Sequence, residues 1–149
     1  MSPNLEHGMT TAMLVAHLQP FVREHDLGAV AVEVDHYMPG DKYNTRRPDI
    51  SFYSKGLLEL LAKDAFVPLM PDLAIEIKSP TNSNEELRQK AAYYLQNGCR
   101  MVWLFFSDTK TVGVYTPGTN EPLILGIDDI LDGGDVLPGF RLPVKSIFP

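Results

Sequence analysis

Met101–Phe106 (Met-Val-Trp-Leu-Phe-Phe) is the longest uninterrupted apolar run in a chain of 149 residues. It falls far short of the ~20 residues that a membrane-spanning helix needs. Its length fits a β-strand buried on both faces. Such a strand needs a covering layer on each side of its sheet, and the sequence offers two helices for that purpose. The first reads from about Met9 to Glu24, with Met9, Met13, Leu14, His17, Leu18 and Phe21 at helical spacing. Thr10 or Thr11 is its expected cap, and Pro20 should kink it or begin a second short helix. The second reads from about Asn84 to Gln96, after the Ser79-Pro80-Thr81-Asn82-Ser83-Asn84 break, and ends at Asn97-Gly98.

Alternation supplies the remaining strands. Ala29–Tyr37 places Val30, Val32 and Val34 on one side and Ala31, Glu33 and Asp35 on the other, a half-buried strand. Met38–Asp41 is a turn, Ile50–Tyr53 a short strand, Gly56–Phe66 a helical excursion and Val67–Pro71 a connector. Asp72–Lys78 alternates again: Leu73, Ile75 and Ile77 face one way, Asp72, Ala74, Glu76 and Lys78 the other. Val112–Tyr115 and Leu123–Leu125 read as a hairpin pair, followed by a tail rich in Asp, Gly and Pro. The order helix, three strands, helix, strand predicts an α/β fold: one mixed central β-sheet flanked by helices. The length predicts a single domain over residues 1–149.

Composition removes several function classes. At 44% hydrophobic the chain is not a disordered tail protein. The single Cys99 rules out an internal disulfide framework and a Cys-rich zinc site. It fits a reducing compartment, and with no secretory signal visible the expected location is the cytoplasm, away from membranes. The net charge of −6 disfavours coating of nucleic acid through bulk charge. Residues 42–110 nevertheless hold 10 bases against 8 acids, so the middle of the chain is locally basic. There is no Gly-rich phosphate loop and no Gly-x-Ser-x-Gly elbow. The four scattered histidines, His7, His17, His25 and His36, read as surface or packing residues rather than zinc ligands.

The carboxylates carry more information. Pro48-Asp49 opens a short strand, and Glu76-Ile77-Lys78 lies on another, 27 positions after Asp49. Period-two geometry puts Glu76 and Lys78 on one face, about 6.6 Å apart along the strand. Two acids and a lysine meeting there suit a hard divalent cation beside a phosphate. The alternative is an exposed Glu76–Lys78 ion pair worth ~0–1 kcal/mol. Asp72 also follows a proline, but it lies about 13 Å from Glu76 along the strand, too far to share one ion bound at ~2.1 Å. Asp49, from a neighbouring strand, can approach Glu76 laterally.

Pro48-Asp49 followed by Glu76-Ile77-Lys78 resembles the PD-(D/E)XK nuclease signature. Arg47–Phe52, Pro71–Pro80, Lys90-x-x-x-Tyr94, Gly98-x-x-x-Val102-Trp103 and the Leu131–Phe140 ending narrow the likeness. Together they resemble the Uma-type restriction endonuclease family over nearly the whole chain. The resemblance implies a restriction-endonuclease-like core, a divalent cation such as Mg²⁺ or Mn²⁺, hydrolysis of a nucleic-acid phosphodiester, DNA foremost, and a homodimer. It makes Asp49, Glu76 and Lys78 the catalytic set, with Asp49, Glu76 and the Ile77 carbonyl as metal ligands. Lys90 and Tyr94, four apart on one helix face, and Arg47 become the substrate-binding residues. For Lys90 the alternative is a surface lysine packing over an aromatic ring. The rivals to an endonuclease are a nuclease-fold binding module that does not cut, a subunit of a larger system, and a small-ligand or structural protein.

Overall fold

Asn4 begins the first helix, α1 (Leu5–Glu24), four residues earlier than the apolar spacing indicates. In the structure, a computed structural model that describes residues 4–41, 43–61, 68–119 and 121–149, its side chain accepts a hydrogen bond from the His7 amide at 2.9 Å. Neither expected threonine caps the helix. Thr10 is fully buried, and the Thr11 hydroxyl donates to the His7 carbonyl at 2.8 Å. Pro20 starts no second helix: α1 runs through it. Ala16, whose carbonyl loses its i+4 donor, and Pro20 both lie on the exposed side, where solvent can replace the missing bond. Leu14, Leu18 and Val22 form the buried stripe, one residue per turn.

The strands β1 (Gly28–Val32), β2 (Ile50–Ser54), β3 (Leu73–Ile77), β4 (Met101–Phe106), β5 (Thr111–Tyr115) and β6 (Leu123–Leu125) form one sheet in that order. Every neighbouring pair is antiparallel except β3 and β4, which run parallel. A parallel pair needs a crossover, and the helix α3 (Asn84–Gln96), capped by Ser83, makes it. A short helix α2 (Lys55–Leu61) follows β2, where a helix over Gly56–Phe66 is expected. The rest of that helix, and Val67 of the connector, lie outside the described residues.

Two expectations about strands need correction. The alternating segment 29–37 stays in the sheet only to Val32, because Glu33 takes a left-handed backbone with φ 53°. Val32 is 49% exposed at this edge, and His36 instead bridges Arg46. β3 is not half wet, since all five of its residues are buried. Leu73, Ile75 and Ile77 pack under α1 with Leu14, Leu18, Trp103 and Phe105. Ala74 packs on the opposite side with Leu87, Ala91 and Tyr94 of α3 and with Val102 and Leu104. The polar-looking face of β3 is therefore covered by the crossover helix.

The tail folds back onto the α1 side. Strands β7 (Ile130–Asp132) and β8 (Arg141–Pro143) pair as a second, two-stranded sheet. Phe140 meets Phe21 edge-on at 5.2 Å and stacks on Trp103 at 6.0 Å. Gly133 permits this return: a Cβ there would meet the Leu137 carbonyl oxygen at 2.3 Å and the Phe140 Cβ at 2.9 Å. No helix among the described residues is long and apolar enough to cross a membrane.

Candidate active site

The antiparallel register of β2 and β3 pairs Ile50 with Ile75, so Asp49, one residue before β2, comes abreast of Glu76. The Asp49 Oδ2 accepts the Ile77 amide at 2.7 Å and lies 3.2 Å from the His7 Nε2. Glu76 is 3% exposed, on the face covered by α3, and its Oε2 accepts the Tyr94 hydroxyl at 2.5 Å. Burial first, and then the neighbouring Asp49 charge, push the Glu76 pKa up to about 7. Lys90 and the Tyr94 hydroxyl pull the other way. His7 is raised by its bond to Asp49, against the effect of burial.

A groove of about 470 Å³ opens onto Glu76, lined by Thr45, Arg46, Arg47, Glu86, Gln89, Lys90 and Tyr94. Lys90 is half-buried there beside Glu76. Arg47 reaches Asp35 through two hydrogen bonds of 2.8 and 3.0 Å at the groove rim. Arg46 lies 4.2 Å over the Tyr93 ring. Lys78 goes elsewhere. Its Nζ pairs with Asp108 at 2.8 Å, in a separate pocket of about 310 Å³ that includes Asn4, His7, Ser79 and Ser107. The strand ends at Ile77, so period-two geometry no longer aims Lys78 along the Glu76 side chain. Lys90, not Lys78, is the ammonium among the groups that act on the charge of Glu76.

Asp72 is occupied at the opposite end of β3, where its carboxylate accepts the Ser54 amide at 2.6 Å and meets Arg100 at 3.4 Å. Two residues at the site escape the sequence reading. Arg46 carries no signal beyond standing next to Arg47. His7 does carry one: it lies two turns before Leu14 on the buried stripe of α1, a position lost when the helix is started at Met9.

Asp49 and Glu76 can hold a hard divalent cation. Burial and, after it, the nearness of Asp49 make Glu76 reluctant to ionise, and a cation between the two carboxylates would remove the repulsive part of that cost. Among the described residues no group of three or more His, Cys, Asp or Glu side chains gathers as a metal cluster. Mg²⁺ commonly completes its shell with backbone, water or substrate oxygens beyond one or two carboxylates.

A mixed sheet with a helix on each face, and an acid before one strand set beside the glutamate of the next, defines a restriction-endonuclease-like α/β protein. The chain belongs to the Uma2 family, described as "Putative restriction endonuclease", whose family model matches residues 1–145. A crystal structure of a "putative nuclease belonging to DUF820" from Anabaena variabilis ATCC 29413 has the same fold, with a TM-score of 0.88. The two are 22% identical, over 99% of this chain and 83% of that one. No curated protein matches the chain.

Proposed function

We propose that the protein is a divalent-metal-dependent endonuclease that hydrolyses phosphodiester bonds, with DNA as substrate and Mg²⁺ or Mn²⁺ as the ion. The observation that carries this reading is the lateral meeting of Asp49 with the buried Glu76 at the end of a cationic groove. Asp49 and Glu76, with the Ile77 carbonyl, would hold the ion. When bound, such an ion polarises a phosphoryl oxygen and lowers the pKa of water. Tyr94 fixes one Glu76 oxygen and leaves the other to the ion. Lys90 lines the same groove and compensates charge there, and Arg46 and Arg47, which also line it, would contact flanking phosphates, Arg47 by releasing Asp35.

Lys78 serves as the catalytic lysine by exchanging Asp108 for a phosphate. Asp108 is half exposed, so a phosphate arriving from solvent can compete with it for the Lys78 ammonium. The same pairing favours a second reading, a nuclease-fold module that holds nucleic acid without cutting it. Supercoiled plasmid incubated with Mg²⁺ or Mn²⁺, with EDTA as control, separates the two. The nuclease reading expects cleavage by the wild type, none by Asp49→Asn, and a loss of 10²–10³ in rate for Lys78→Ala. Equal rates in wild type and Asp49→Asn would contradict it. Binding without cleavage by the wild type would establish the module.

A further inference from the structure

We propose that His7 is a positioning residue, which orients the Asp49 carboxylate by donating from Nε2 to Oδ2. The inference rests on the reading of Asp49 as an ion-binding residue and adds a role for α1, which otherwise only covers the sheet. His7 is held from both directions along the chain. Its amide donates to the Asn4 cap, and its carbonyl accepts the Thr11 hydroxyl. Its side chain is only 9% exposed, so the ring has little freedom to leave Asp49.

Geometry assigns the role. The terminal torsion of an aspartate is soft and broadly populated, so one hydrogen bond does not fix the plane of the carboxylate. The Ile77 amide of β3 donates to the Asp49 Oδ2 at 2.7 Å, and the His7 Nε2 of α1 approaches the same oxygen at 3.2 Å. They come from different layers of the fold and so fix the carboxylate in two directions. Both lie on Oδ2, so neither occupies Oδ1, where a cation shared with Glu76 would bind. A ring nitrogen that donates its proton has no lone pair left for a metal, so the Nε2 of His7 supports a ligand rather than being one.

The test compares His7→Leu, which removes the donor, with His7→Gln, whose amide N–H reaches about as far as Nε2. Mn²⁺ binding is followed by calorimetry, and the Asp49 orientation by crystal structures of the metal-free variants. Thermal melts establish that each variant is folded. His7→Leu should bind Mn²⁺ about 10–100-fold more weakly, with its Asp49 carboxylate turned from the wild-type orientation. His7→Gln should restore both, which a purely space-filling role for the ring would not allow. An unturned Asp49 in His7→Leu overturns the proposal, and so does wild-type Mn²⁺ affinity in that variant. If the wild type itself binds no Mn²⁺, the metal-dependent reading fails, and the orientation of Asp49 in the two variants still decides the role of His7.

Discussion

Glu76 places a carboxylate where a folded protein can keep it charged only at a cost. Burial and Asp49 raise its pKa from 4.5 to about 7, so the folded chain holds a proton that the unfolded chain releases between those values. Below about pH 4.5 both states are protonated and the group contributes nothing. As pH rises through that window stability falls, and above about 7 the full cost is present, about 3 kcal/mol at 1.36 kcal/mol per unit. Glu76→Gln removes the titration while keeping an acceptor for Tyr94. Urea unfolding in EDTA should therefore show wild type losing stability relative to Glu76→Gln between pH 4.5 and 8. Parallel profiles for the two proteins would contradict the burial of a charged pair. At this scale the site was partly legible in the sequence. Spacing alone chose Asp49 over Asp72, because strand rise separates positions along one strand and adjacent strands bring others together. The aim of Lys78 was not legible, since it depends on where β3 stops and on an Asp108 that the strand pattern does not include.

The elements show what local patterns record and what they omit. The bounds of α3 could be read directly, because Ser83 and Asn97-Gly98 are local signals that the structure uses as caps. Met101–Phe106 likewise announced a strand covered on both faces, and all six residues are buried. The cover on the second face of β3 was hidden. Ala74 suits either environment and Glu76 looks like a solvent residue, so only the crossover helix reveals that this face is buried. The tail was harder, because its organisation rests on one close approach rather than on a period. Gly133→Ala should destabilise the protein by about 1–3 kcal/mol, since the added carbon meets backbone as well as the Leu137 and Phe140 side chains. Urea denaturation measures it, and an unchanged midpoint would mean that the return of 133–140 is looser than the structure shows.

Across the whole molecule, five bases of the basic middle are held in ion pairs among the described residues. Arg47 pairs with Asp35, Lys55 with Asp26, Lys78 with Asp108, Arg88 with Glu85 and Arg100 with Asp72. What meets Glu76 in its groove is Arg46, Arg47 and Lys90, a small cationic patch on a chain of net charge −6. A polyanion would be guided to that end of the sheet and repelled from most of the rest. The reverse holds for a small cation: binding at Asp49 and Glu76 would relieve a buried repulsion, and among the described residues no cluster of three or more His, Cys, Asp or Glu side chains offers another site. Anomalous diffraction from crystals soaked in Mn²⁺ tests this most directly. The account predicts one dominant peak with an oxygen of Asp49 and an oxygen of Glu76 each about 2.1 Å away, and its loss in Asp49→Asn. A dominant peak elsewhere, or none at saturating Mn²⁺, would contradict it.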